Sequence, residues 1–214
     1  MVPIEANLQT RGAPYDRKAA LYDWLVRSTL YNRLLWGTSP RDYEAFADKA
    51  LASGSGSVLD VAGGSAAATA RPYAHTNRPI TLTDQSIAML NRAATRISAE
   101  AGPTAMQRFR FVQADAFALP FSPNTFQTVI CMGFVHLLPE PMTLLKALKA
   151  QVAPGGSIFL SSLVAGRSVG TRYLHLLHSA GEVAVPRTVE QLSAQLGGVP
   201  FTVQGNMAYA IINA

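Results

Sequence analysis

The chain has 214 residues, of which 49% are hydrophobic and 14% charged, and its formal net charge is +5. This composition excludes a disordered chain, and the length suits one domain that buries a core of its own. No apolar run approaches the roughly 18 residues that cross a bilayer, which excludes a transmembrane helix. The single cysteine, Cys131, excludes an internal disulfide framework, and its place in an apolar strand predicts a buried, inert thiol.

The charge and the first residues of the chain bear on location and partners. The first twenty residues contain no apolar signal-peptide core, so we expect a cytoplasmic protein. The basic residues are scattered instead of clustered, so no nucleic-acid partner is expected, although transient contact with an acidic membrane surface stays open. The low overall charge favours a small substrate of hydrophobic character.

The N-terminal quarter of the chain predicts helices. Apolar residues recur at helical spacing over residues 15–35. A second helix is expected from Pro40, because Ser39 can cap it and Asp42 favours its positive end. The glycine- and serine-rich stretch 52–57 then predicts a flexible joint.

The joint divides the chain into an N-terminal helical segment, residues 1–52, and a larger domain, residues 53–214, in which apolar strands alternate with helices. The predicted strands are 57–61, 80–84, 109–113, 126–132 and 157–163, and the predicted helices begin near Ser65 and cover 86–100, 141–152 and 188–196. A hairpin over 201–213, turning at Gly205 and Asn206, closes the series. The alternation predicts an α/β fold with a doubly wound, mostly parallel sheet and an antiparallel hairpin at one edge.

In such a sheet, ligands bind beyond the carboxyl ends of the strands, and three strand ends carry suitable residues. The first is "LDVAGGS", residues 59–65, where glycines let backbone N–H groups approach a ligand. The second is Asp84, placed to accept both hydroxyls of a ribose, and the third is Asp115, placed to accept from an adenine amine. Each has a plain alternative: a strand-to-helix turn, a helix cap for Asp84, and an Asx turn for Asp115.

Taken in order, "LDVAGGS", "LTDQSIAML", "QADAFALPF", "FQTVICMGFVHLLPEP" and "APGGSIFL" resemble the motifs of the class I S-adenosylmethionine-dependent methyltransferases. The resemblance covers about residues 57–213. Within that class, "LDVAGG" and "ALPFSPNTF" are similar to the ubiquinone- and menaquinone-type enzymes, which methylate small molecules. The resemblance implies a Rossmann-like fold, S-adenosylmethionine as the cofactor, and an N-terminal helical lid.

The resemblance also implies roles for individual residues. The implied cofactor contacts are Asp60, Ala62, Gly63 and Gly64 at the methionine part, Asp84 at the ribose, Gln85 and Met89 beside the adenine, Asp115 and Ala116 on the adenine, and Met132 on the floor of the site. Gly133 would continue the floor toward the substrate. One departure matters: Ala66 stands where the family has glycine, so its methyl group is expected to crowd the methionine part unless the backbone shifts.

Three histidines are candidates on the acceptor side. His136 follows the fourth strand and is the candidate general base, with a role in orienting its loop as the alternative. His175 and His178 lie three residues apart on one face of a predicted helix, where they would shape the acceptor pocket. A metal site is not predicted there, because two histidines lack the third ligand that such a site needs.

The aromatic residues Tyr15, Tyr22 and Trp36 belong to the N-terminal helices, which in this family fold over the site as a lid. Core packing on an amphipathic helix is the alternative for all three. The sequence therefore predicts an S-adenosylmethionine-dependent methyltransferase acting on a small, hydrophobic acceptor. The alternative is a protein of the same fold that binds S-adenosylmethionine without turnover.

Overall fold

An eight-stranded sheet organises the chain, of which the computed structural model describes residues 4–5 and 28–214. The strands are β1 (Ile4–Glu5), β2 (Val58–Val61), β3 (Ile80–Asp84), β4 (Phe109–Gln113), β5 (Phe126–Met132), β6 (Val152–Leu163), β7 (Thr202–Gln204) and β8 (Met207–Asn213). Their order in the sheet is β1-β4-β3-β2-β5-β6-β8-β7. All neighbouring pairs are parallel except β6 with β8 and β7 with β8, which confirms the predicted parallel sheet with its antiparallel hairpin.

The strand order reverses at β2, which pairs with β3 on one side and with β5 on the other. The chain runs outward from β2 through β3 to β4 and then returns to place β5 on the opposite side of β2. The carboxyl ends of β2 and β5 therefore flank a crevice, which is where doubly wound sheets bind their ligands.

Helices cover both faces of the sheet. They are α1 (Thr29–Tyr31), α2 (Pro40–Ala52), α3 (Ala70–His75), α4 (Ile87–Ala101), α5 (Pro141–Gln151), α6 (Ser168–Ser179) and α7 (Val189–Gln195), with a π-helix at Asn32–Trp36 and 3-10 turns at Thr104–Arg108 and Val135–Leu137. Because side chains alternate along a strand, β2 sends Leu59 and Val61 into one core cluster and Val58 into the other. Asp60 thus points to the same side as Val58, which explains why a carboxylate is buried there.

Two helical predictions differ from the structure in their bounds. The helix expected near Ser65 begins only at Ala70, because the turn before it contains residues with positive φ that cannot continue a helix. The helix expected over 15–35 falls mostly outside the described residues, and its described end is the short α1 followed by the π-helix.

The predicted flexible joint is held in place by side chains from the sheet. Arg78 donates from Nε to the carbonyl of Gly56 at 2.7 Å, and the Gln127 side chain accepts from the N–H of the same glycine. On the N-terminal side of the joint, α2 contributes Ala50 and Leu51 to the core cluster that contains Val58. The described part of the N-terminal segment therefore packs into the core of the sheet.

Among the residues that the structure describes, no helix is both long and apolar enough to cross a membrane.

Candidate functional site

The turn after β2 has an unusual backbone. Ala62, Gly64 and Ala66 all have positive φ, at 55°, 57° and 52°. Residues with a Cβ rarely adopt this left-handed conformation, which costs an alanine about 1–2 kcal/mol. In this conformation the N–H groups of the turn do not form a regular series of helical hydrogen bonds. They can therefore donate to acceptors outside the turn.

Those N–H groups connect the turn to β3. The N–H of Gly63 donates to the carbonyl of Thr83 at 3.0 Å, and the N–H of Gly64 donates to Oδ2 of Asp84 at 2.9 Å. The other oxygen of the Asp84 carboxylate accepts from the N–H of Ser86 at 2.8 Å. Asp84 therefore stands between the turn and the beginning of α4. The cap of α4 is Ser86, whose hydroxyl accepts from the N–H of Met89, and Asp84 helps by accepting from the N–H of Ser86.

The two glycines of the turn face different surroundings. A Cβ built on Gly63 would lie 2.6 Å from Oδ2 of Asp60, so only glycine fits over this carboxylate. A Cβ built on Gly64 would meet nothing within 4 Å. The turn is thus closed beneath Gly63 and open at Gly64, beside the Asp84 carboxylate, where a ligand can approach the backbone.

Asp60 lies beneath the turn and is only 2% exposed. Its Oδ2 accepts from the Tyr73 hydroxyl at 2.7 Å. Burial raises the pKa of Asp60 to about 7, and the nearby charge of Asp84 adds to the rise, while the Tyr73 hydrogen bond opposes it. The predicted contact of Asp60 with the methionine part of a cofactor would therefore have to act through the turn above it.

Ala66 does not narrow the open side of the turn, contrary to the expectation from sequence. Its side chain is 1% exposed and packs in the core cluster that also contains Tyr73 and Leu90. Because a side chain facing an open ligand site would be accessible to solvent, the methyl group must point into the protein. The backbone conformation at Ala66 is what turns it away.

The predicted adenine-side residues gather at the ends of β3 and β4. Asp115 and Ala116 are half-buried, and Oδ1 of Asp115 accepts from the N–H of Phe117 at 2.9 Å in the alternative Asx turn. Gln85 is exposed, and Met89 is buried in the first turn of α4 at 4% exposure. Sequence reasoning missed Gln113, whose Nε2 donates to the carbonyl of Gln85 at 3.0 Å and joins the two strand ends.

The predicted floor lies at the end of β5. Met132 and Gly133 are half-buried, and the N–H of Gly133 donates to both the carbonyl and the hydroxyl of Ser161. A Cβ on Gly133 would lie 3.4 Å from the hydroxyl of Tyr43, which donates to Sδ of Met207. Sequence reasoning missed that Tyr43 of α2 lies beside Gly133, because this proximity depends on how α2 packs.

His136 lies beyond this floor in the 3-10 turn after β5. Its Nδ1 accepts from the N–H of Leu163 at 3.4 Å, so the proton of the neutral ring is on Nε2. Burial lowers the pKa of His136 to about 4, and the positive charge of Arg187 lowers it further. The ring is therefore neutral at physiological pH and is a weak proton acceptor.

An open cavity of about 650 Å³ lies next to this turn. Its walls come from the turn after β5, the segment between α6 and α7, and α7 itself, and they include Leu137, His178, Glu182, Arg187 and Gln191. His175, on the same helix as His178, is exposed. Among the described residues no group of three potential metal ligands occurs, so the structure adds no third partner to these histidines.

The predicted lid residues are only partly covered by the structure. Tyr15 and Tyr22 lie outside the described residues. Trp36 is 5% exposed and packs against Tyr31 and Tyr173, with ring centroids 6.5 and 5.4 Å away. Trp36 therefore packs in the core, which is the alternative that the sequence left open.

The family model described as "Methyltransferase domain" matches residues 58–156, a range that runs from β2 into β6 and includes the turn, Asp84 and Asp115. Over residues 58–156 the chain is similar to this methyltransferase domain family. This match agrees with the predicted class I resemblance, which implies S-adenosylmethionine as the cofactor.

A curated relative, a tRNA U34 carboxymethyltransferase from Nautilia profundicola, is 41% identical over 46 residues. This match covers 22% of the present chain and only 15% of the relative, so the chain matches a small part of that protein.

Two solved structures share the fold. An S-adenosylmethionine-dependent methyltransferase structure from Methanococcus maripaludis has a TM-score of 0.65 at 14% identity and covers 96% of both chains. Phosphoethanolamine N-methyltransferase 2 from Haemonchus contortus, solved with S-adenosylhomocysteine and phosphomonomethylethanolamine, has a TM-score of 0.63 at 17% identity. That match covers 87% of the present chain and 42% of the other. The chain therefore has the Rossmann-like fold that the sequence predicts.

The residues at the strand ends fit S-adenosylmethionine. Gly64 has no side chain and no atom lies within 4 Å of the position of a Cβ, so a ligand has room to approach its backbone. The Asp84 carboxylate beside it is an acceptor suited to ribose hydroxyls. Asp115 and Ala116 follow the end of β4 and are half-buried. Gly64 and Asp84 are the residues that would hold the cofactor most directly.

Proposed function

We propose that this protein transfers a methyl group from S-adenosylmethionine to a small acceptor that lies over Gly133. The observation that carries the proposal is the left-handed turn after β2, which is open at Gly64 and bonded to Asp84 at the point where the strand order reverses. The proposed cofactor residues are those predicted from sequence, with Asp60 and Ala66 supporting the turn from below.

When bound, S-adenosylmethionine would supply a methyl group carried on a sulfonium sulfur, and the acceptor nucleophile would displace that sulfur from the methyl carbon in line. The sulfonium already activates the methyl group. The task of the protein's side chains is therefore to align the acceptor and to exclude water. Gly133 lets the acceptor approach the end of β5 closely, since it carries no side chain there. Tyr43, against Gly133, gives this side of the site an aromatic wall and a hydroxyl.

A general base is needed only where the acceptor atom must lose a proton. An efficient base has a pKa near the working pH, whereas the pKa of His136 is about 4. We therefore propose that His136 positions the chain after β5 through its contact with Leu163 and does not act as the base. This favours acceptors whose nucleophilic atom is already unprotonated at neutral pH.

Three classes of acceptor have some support. The composition favours a small hydrophobic molecule, the Haemonchus contortus structure holds a small phosphorylated amine, and the curated relative is named for tRNA. We propose a small molecule, because the tRNA-related match spans only 46 residues. The finer resemblance to the ubiquinone- and menaquinone-type enzymes stays a prediction.

The second candidate function is binding of S-adenosylmethionine without methyl transfer. It is favoured by the neutral, buried state of His136, which leaves the best sequence candidate without basic strength. In this case the fold and the turn would be retained for cofactor binding alone.

Cofactor binding and turnover are separated by two measurements. Thermal melting with increasing S-adenosylhomocysteine should give a saturable rise in melting temperature. No rise at millimolar ligand would contradict the proposed cofactor site. Transfer of a labelled methyl group should then be measured on hydrophobic small molecules, phosphorylated small molecules and bulk tRNA. Binding with no transfer to any class would favour the second function, and transfer to tRNA alone would overturn the small-molecule assignment.

A further inference from the structure

Two buried arginines of the domain differ sharply in how their guanidinium groups are satisfied. Arg78 is 5% exposed, and all three of its nitrogens donate: to the carbonyls of Ala50, Leu51 and Gly56, and to the hydroxyl of Thr128. Arg78 is thus a structural arginine, with four hydrogen bonds that hold α2 and the joint against the sheet.

Arg187 is 9% exposed but uses only one nitrogen. Its Nη2 donates to the carbonyls of Leu138 at 2.7 Å and Pro139 at 2.6 Å. Within the described part of the chain, Nε and Nη1 have no hydrogen-bond acceptor. Since a guanidinium has five N–H donors, three of them are left over on a cation that is nine-tenths buried.

Among residues 4–5 and 28–214, no carboxylate forms an ion pair with this cation. Glu182 lines the same cavity, yet among the described residues it forms no ion pair with Arg187. Burial lowers the pKa of Arg187, and its positive charge in turn lowers the pKa of His136. The two free nitrogens are not among the buried unpaired atoms of the described residues, so they are accessible from the cavity that Arg187 lines. The usual partners of such an arginine are carboxylate or phosphate groups.

Arg187 also lines the cavity of about 650 Å³. The carbonyl of Arg187 accepts from the N–H of Ala165 at 2.7 Å, so its backbone is fixed to the segment that follows β6. Its side chain is fixed to Leu138 and Pro139, which follow the 3-10 turn after Gly133. Leu137, at the cavity wall, belongs to the short 3-10 turn Val135–Leu137 that follows Gly133 in the chain.

We propose that this cavity binds the anionic end of the methyl acceptor, with the free N–H groups of Arg187 on a phosphate or carboxylate oxygen. The assignment rests on the proposed function, because it places the reactive end of the acceptor over Gly133. It names the substrate class more closely: a small molecule with a compact oxyanion at the end opposite the methylated atom.

The direct test is calorimetric titration of the full-length protein with inorganic phosphate and with acetate, at constant ionic strength. Saturable binding of either anion, weakened at least tenfold in Arg187→Gln and unchanged in Arg172→Gln, would support the proposal. Arg172 is an exposed arginine on α6, so its loss changes the net charge equally. The anion that binds more tightly identifies the group. Binding of neither anion, or equal binding by Arg187→Gln, would overturn the proposal.

A second variant keeps the test decisive if Arg187→Gln does not fold. Gln191 lines the cavity, and its Oε1 accepts from the N–H of Thr188 at the beginning of α7. Gln191→Glu preserves this acceptor and adds a negative charge to the cavity, so we expect a folded protein with at least tenfold weaker anion binding. Unchanged anion binding in Gln191→Glu would contradict the site.

The cofactor measurement separates this proposal from the proposed function. The melting-temperature rise with S-adenosylhomocysteine should be the same in the natural protein and in Gln191→Glu. Loss of that rise in both would show that the proposed function fails, whereas a retained rise without anion binding would show that only the cavity assignment fails.

Discussion

The Tyr73 hydroxyl donates a hydrogen bond of 2.7 Å to the carboxylate of Asp60, and both side chains are buried beneath the turn that follows β2. Among the described residues this is the one hydrogen bond to the Asp60 side chain. The pair places an ionisable group with a pKa of about 7 directly under the proposed cofactor turn. The stability of this region should therefore respond to pH.

Asp60→Asn should make the protein more stable at pH 8 and leave it nearly unchanged at pH 4. The pKa of Asp60 in the folded state, about 7, lies above its usual value of 3.8, so its stabilising contribution is complete below about pH 4 and is lost as pH rises through 7. The variant removes that loss, which amounts to about 2–4 kcal/mol. Urea unfolding at pH 4 and pH 8 measures the effect. A stability difference that does not change with pH would contradict the raised pKa.

Tyr73→Phe serves as the opposite control for the same pair. The Tyr73 hydrogen bond stabilises the ionised carboxylate, so its removal should raise the pKa of Asp60 further. We expect Tyr73→Phe to lose more stability at pH 8 than at pH 4.

His136→Asn should raise the free energy of unfolding at acidic pH relative to the natural protein. The pKa of His136 in the folded state is about 4, below its usual 6.5, so its contribution is present above about pH 6.5 and is lost as pH falls toward 4. Asn keeps an acceptor for the N–H of Leu163 but does not titrate. The variant should gain about 3 kcal/mol relative to the natural protein between pH 7 and pH 4. Methyl transfer that disappears in His136→Asn at pH 7.5, with stability intact, would restore His136 as the base.

The sequence predicted the strands well, because buried strands in this sheet are short apolar runs between turns. The bounds of β3, β4 and β5 agree with the prediction, and α7, Val189–Gln195, lies within the predicted helix 188–196. The start of α3 was not predictable, since alanine rarely has positive φ and nothing in the letters marks Ala66 as left-handed.

The proposed site was predictable only where it follows from chain order. Asp84 and Asp115 come at strand ends, so parallel strands bring them to one edge of the sheet. Tyr43 and Arg187 reach the site region through packing between elements far apart in sequence. Their roles depend on which hydrogen-bond donors remain unused, and a sequence does not record that.

Ala62→Gly should stabilise the protein more than Ala66→Gly. Both alanines have positive φ, so glycine relieves about 1 kcal/mol of backbone strain at either position. Ala66 is buried in the core, and loss of its methyl group costs about as much as the strain relief gains, whereas Ala62 is half-buried. Urea unfolding should show a gain for Ala62→Gly and little change for Ala66→Gly.

The same two variants test where the Ala66 methyl group points. S-adenosylhomocysteine affinity should be unchanged in Ala66→Gly, because the methyl group lies in the core. Clearly tighter binding in Ala66→Gly would show that the methyl group crowds the cofactor after all.

Asp84→Asn should weaken S-adenosylhomocysteine binding at least tenfold. Both carboxylate oxygens accept backbone N–H groups, from Gly64 and from Ser86, and an amide replaces one of these acceptors with a donor. The mismatch leaves a backbone N–H unsatisfied, which costs about 1–3 kcal/mol, and disturbs the turn at its open position. Asp48→Asn on the exposed side of α2 removes the same charge and should bind normally. Equal affinity in Asp84→Asn and Asp48→Asn would place the cofactor away from the end of β3, and the proposed site with it.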